Sequence, residues 1–171
     1  MMPPTIASAL SLVLYCSSAF LIFSQLKHHS NKALQQRGLS LIPALIGLIL
    51  HAAALYKSIG QIDGLYLGLV NTFSLVTWLI SIQILLSCLF RQIETLGIIM
   101  FPMAGLAGLA SSMSPVTPEQ LIIVSNSTIQ GHIMISVVAY SLIMLSAVQA
   151  LLLAYQDRAI RSVSYTHLRA H

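Results

Sequence analysis

From His132 to Gln156 the chain runs twenty-five residues without a formal charge. At about 1.5 Å of rise per residue, such a stretch makes a helix long enough to cross a bilayer core about 30 Å thick. The full block, GHIMISVVAYSLIMLSAVQALLLAYQDRAIR, opens on one histidine and closes on Asp157, Arg158 and Arg161, a polar and mainly cationic stop. Ser136 and Ala139 follow His132 on one helical face. A bilayer helix entered through a single titratable, metal-capable imidazole restricts both the fold and the chemistry of the chain.

The other segments repeat that composition. Of 171 residues, 57% are hydrophobic and 7% charged, against about a quarter charged in soluble domains. A soluble globular class is excluded. The net charge of +4 does not imply a nucleic-acid partner, because the basic residues sit singly at the ends of apolar runs, which is the membrane-orientation pattern. The N-terminus lacks a basic leader and a small-residue cleavage site, so residues 4–26 read as a retained span rather than a signal peptide.

The expected fold class is all-α: a polytopic membrane bundle with five transmembrane helices at 4–26, 39–57, 65–89, 95–113 and 131–156, whose first partner is the lipid bilayer. The odd-numbered breaks carry three, one and two Lys/Arg, and the even-numbered ones carry only Lys57. The positive-inside rule then puts the N-terminus outside and the loops after helices one, three and five in the cytoplasm. His28 and His29 fall in the first basic loop and read as solvated surface. Pro115 and Pro118 keep the start of the fourth break non-helical, Leu121 to Val124 suit the membrane interface, and Asn126-Ser127-Thr128 fits a glycosylation sequon of little weight.

Cys16 and Cys88 lie inside apolar runs and read as small packing residues rather than a disulfide. Ala104, Gly108 and Ser111 space a helix-packing surface after Pro102. Pro43 is expected in the first turns of helix two, where it need not kink it. Residues 162–171, SVSYTHLRAH, read as a non-native tail resembling a translated library adapter and as no continuation of the helix. The transmembrane domain is accordingly 1–161, with the natural chain expected to be cut near Arg161.

Polar residues in hydrocarbon are costly without partners. His51 is expected about 9 Å below the outer end of helix two, given the helical rise, with small residues Ala44, Gly47 and Ala54 on its face leaving room for a neighbour or a flat ligand. Asn71 falls at a similar depth in helix three, with Ser74, Trp78 and Ser81 along one stripe. His132 and Ser136 enter helix five from the same side. For Asn71, Ser74, Ser81 and Ser136, interhelical hydrogen bonding is the plain reading. The imidazoles admit two: structural polar residues, or ligands for a metal or haem iron. The sequence has no HExxH, no Cys/His cluster of zinc spacing, no glycine-rich phosphate loop and no CxxCH, hence no catalytic motif.

Three blocks, LILHAAALY (48–56), LVNTFSLVTWLI (69–80) and GHIMISVVAYSLIMLSAVQALLLAYQDR (131–158), resemble in order and spacing the CcsA/HemX/YpjD group of cytochrome c assembly membrane proteins, YpjD-type members above all. The likeness covers residues 5–161. It implies a multi-pass protein of the bacterial inner (plasma) membrane that handles haem, with apocytochrome c or other assembly proteins as partners. Under the resemblance His132 matches an outer-side histidine and is implied as an axial haem ligand. His51 matches the helix-two histidine of the YpjD and HemX branch, and Asn71 and Ser136 complete the implied cofactor layer. The tryptophan-rich WWD loop of CcsA-type members is absent here. A non-catalytic scaffold or regulator of haem supply, HemX-like and with structural histidines, is the alternative. A transporter fragment ranks below both, since no inverted repeat is visible.

Overall fold

The computed structural model describes residues 3–27, 33–61, 64–90, 93–114, 121–122 and 127–168. His28, His29, Lys32, Asp63, Arg91, residues 115–120 and the sequon's Asn126 lie outside them. Among the described residues five helices are long and apolar enough to cross a membrane: α1 Pro4–Lys27, α2 Ala33–Ile59, α3 Leu69–Ser87, α4 Gly97–Met113 and α5 Ser127–Leu168. The multi-pass helical bundle expected from composition is the architecture found.

Helix ends differ from the hydropathy pattern for local reasons. α2 begins at Ala33, six residues before the apolar run, because Ala-Leu-Gln-Gln-Arg are strong helix formers even in water. α3 begins only at Leu69, behind an extended Gly68, because Gly64–Tyr66 is a strand, β2. α5 starts at Ser127 and runs to Leu168. No Gly or Pro interrupts it after Gln156, and Asp157 pairs with Arg161 at 3.0 Å one turn on. Residues 162–168, read from sequence as outside the helix, continue it.

Pro43 stands ten residues into α2, in its interior rather than its first turns. Proline there removes the bond to the carbonyl four residues back and disturbs its neighbours. Ser18 of α1 donates to the Ser40 carbonyl at 2.7 Å, beside the broken rung, as serine hydroxyls do at proline breaks in lipid.

Two short strands after α2, β1 Gly60–Gln61 and β2, pair antiparallel. β2 also pairs with β3, Leu121–Ile122, in the register Leu65↔Ile122 and Tyr66↔Leu121. The connections after α2 and after α4 therefore meet at one end of the bundle, as helices that alternate direction require.

α1 packs along α2 and α4, and α3 joins α4 and α2. Apolar burial gains little over lipid, so close approach through small residues must hold such helices together. A Cβ at Gly105 of α4 would stand 2.8 Å from the Leu12 Cα of α1, so only glycine permits that approach. The shared core includes Tyr15, Ile22, Ala44, Ile80, Met100 and Phe101. α5 leans mainly on α3. Only 17% of its most apolar stretch is buried, against 50% for α4.

Candidate functional site

α1 carries Ser8, Ser11, Tyr15 and Ser18, all at 0% exposure, spaced i, i+3, i+7, i+10 on one helical face. Ser8 and Ser11 donate to carbonyls of their own helix, Pro4 and Ser8, at 2.9 and 3.0 Å. They fill space without demanding a partner. Tyr15 is the bulky member of the stripe. Its ring stacks on Phe101 of α4 with centroids 5.6 Å apart and meets the His51 ring edge-on at 6.1 Å.

His51 is enclosed by all four helices α1–α4, at 0% exposure. Its Nε2 lies 2.9 Å from the Ser74 Oγ of α3, and its Nδ1 is buried without a hydrogen-bond partner. A buried N–H left unpaired costs about 1–3 kcal/mol, so the proton belongs on Nε2, donated to Ser74. Gly108 of α4 covers the same edge: a Cβ added there would stand 2.7 Å from His51 Nε2.

The polar layer continues around this ring. Ser111 of α4 donates to Asn71 Oδ1 of α3 at 2.7 Å, and the Trp78 indole N–H donates to the Leu48 carbonyl of α2 at 3.0 Å. Thr77 and Ser81 donate to backbone carbonyls of α3, and Tyr15 Oη meets Ser81 outside good hydrogen-bond geometry. Ala104, Gly108 and Ser111 are all buried, the packing surface their spacing indicates.

His132 has different surroundings. It sits five residues inside α5, not at the helix's first residue, though at the start of its membrane-crossing part. It is exposed, and Ser136 beyond it is half-buried. α5 packs chiefly on α3 and has at most slight contact with α2. His51 and Asn71 thus share one interior, while His132 and Ser136 stand outside it. The convergence of rings from the second and fifth helices expected from sequence is not the arrangement found.

The bundle attaches α5 by a narrow line: Val137, Ser141 and Leu145 are buried on it. Gln83 Nε2 of α3 donates to Ser141 Oγ at 2.6 Å, and Ser141 donates onward to the Val138 carbonyl at 2.7 Å. Sequence reasoning passed over Tyr15, Gln83 and Ser141. The first had a readable signal in the 8-11-15-18 spacing, and Gln83 in being the lone amide in the apolar run 79–86 of α3.

A haem macrocycle can be tested against these surroundings. His51 does not fit as a ligand: Ser74 occupies its Nε2, Gly108 closes that side, and no solvent reaches the ring. His132 fits in the elementary sense that its imidazole is open to a flat group. Among the described residues no three His, Cys, Asp or Glu side chains gather as a metal-binding group. Cys16 is exposed and Cys88 half-buried, and neither is part of a disulfide. No family model matches the chain, and no curated protein or solved structure is significantly similar to it.

Proposed function

We propose that this chain is a haem-handling membrane protein of cytochrome c assembly, with His132 as its haem-iron ligand and the α1–α4 bundle as the scaffold that carries α5. The observation that supports the reading is the contrast between the histidines: one imidazole is locked in a closed interior, the other is open on a helix mostly bare of protein contacts. The two blocks of family resemblance that contain His51 and Asn71-to-Trp78 also meet one another through His51–Ser74 and Trp78–Leu48. His51 and Asn71 then serve to hold the scaffold together.

Bound haem would supply a redox-active iron, and His132 is the residue that would hold it and tune its reduction potential. The chain's own part is to offer His132 at the membrane boundary and to exclude water from the bundle beneath it. The side is assigned by charge: the even-numbered connections, joined by β2 and β3, face outward, and the basic ones face the cytoplasm of a bacterial inner membrane. Apocytochrome c or another assembly protein would meet α5 on that outer side.

The test is a haemin titration of the purified protein. A Soret band that saturates in wild type and in His51→Gln, but is lost or shifted in His132→Ala, supports the reading. A protein that stays colourless under ample haem, while crosslinking to a partner through the basic segment 27–37, supports the scaffold or regulator of haem supply instead. The sealed state of His51 is the observation that keeps this second reading in play.

A further inference from the structure

Gln83 is the amide of α3 that reaches across to α5, and its geometry allows one arrangement. The Ser141 hydroxyl hydrogen goes to the Val138 carbonyl, so Ser141 can only accept from Gln83; the NH₂ group must face it, as found at 2.6 Å. Gln83 Oε1 is left buried and unpartnered, which adds to the cost of keeping an amide at this position. The rest of the contact is apolar, through Val137 and Leu145. In lipid, van der Waals packing and interhelical hydrogen bonds hold helices together, and the hydrogen bond adds a direction that the helix must face.

Ser141 lies nine residues after His132, about two and a half turns, which places the two on opposite sides of α5. Turning Ser141 toward α3 therefore turns His132 away from the bundle. We propose that Gln83 and Ser141 are positioning residues: their hydrogen bond sets the rotation of α5, and so directs the His132 imidazole outward, where a ligand approaches it from the side facing away from α1–α4. The second half of this statement rests on the haem reading; the first does not.

Spin labels on α5 separate the two halves. In a background with Cys16 and Cys88 replaced by alanine and the wild-type melting temperature retained, a label at Ala139, exposed on the His132 side, is accessible to dissolved oxygen. A label at Val137, on the buried side, is not. Gln83→Met, which keeps length and removes the bond, brings the two accessibilities toward a ratio of one. Ser141→Ala, which removes the bond without adding bulk, does the same. Gln83→Met and Ser141→Ala variants that both keep the wild-type ratio overturn the proposal. If the ratio collapses but haemin gives no Soret band in any variant, the rotational role stands and the haem reading fails; if both respond, the band weakens in step with the ratio.

Discussion

The four helices α1–α4 and the fifth differ in how a membrane protein handles polar groups. In the bundle, polar side chains face each other or their own backbone: His51 meets Ser74, Asn71 meets Ser111, and Ser18 bonds the Ser40 carbonyl beside the Pro43 break. Glycines permit the approach that makes those bonds short. On α5 one line of contact holds the helix, Ser141 is its polar anchor, and His132 stays exposed. Polarity in the first region fixes a structure. In the second only Ser141 does so, and His132 stands outside the protein contacts.

The sharpest way to break that contrast is to delete each imidazole. His51→Ala empties a fully enclosed site under Tyr15 and is expected to cost about 2–4 kcal/mol, in line with large-to-small core substitutions. His132→Ala should change stability by less than about 0.5 kcal/mol, as exposed sites do. Unfolding in mixed micelles followed by circular dichroism measures both. Equal losses would erase the distinction.

Matched glycines sharpen it further, with opposite signs. Gly108→Ala drives a methyl into the His51 ring and should destabilise by about 1–3 kcal/mol. Gly131→Ala meets nothing within 4 Å and should stabilise α5 by about 0.4–1 kcal/mol through the unfolded chain. Thermal melts of the two variants read the signs directly.

Hydroxyls give the narrowest contrast between the two regions. Ser111→Ala removes the hydrogen bond to Asn71 Oδ1 and should cost about 0.6 kcal/mol, the average for hydrogen bonds between helices in lipid. Ser146, exposed and bonded to its own Leu142 carbonyl at 2.8 Å, should tolerate alanine with no measurable change in the same unfolding assay.

Much of this was legible in the residues and part was not. Five spans follow from uncharged length alone, and the buried face of α4 follows from Ala104, Gly108 and Ser111. The stripe Asn71, Ser74, Ser81 also lies inward, because small polar groups in hydrocarbon must find partners. Helix ends were harder to place, since hydropathy marks where lipid ends and not where helix ends: α2 and α5 extend past it into polar sequence, and α3 yields its first turn to β2. A histidine's place along its helix is readable from the sequence, but its azimuth is not. Depth suggests that His51 and His132 converge, whereas His51 is enclosed in the bundle and His132 is exposed on α5, which packs chiefly on α3.

Histidine modification in intact membranes addresses the central contrast without any ligand. Diethylpyrocarbonate treatment followed by peptide mass spectrometry should label His132 readily and leave His51 unmodified until the protein is unfolded. Labelling of His51 at a rate comparable to His132 in the folded protein would contradict the closed interior, and with it the division of roles between the bundle and its fifth helix.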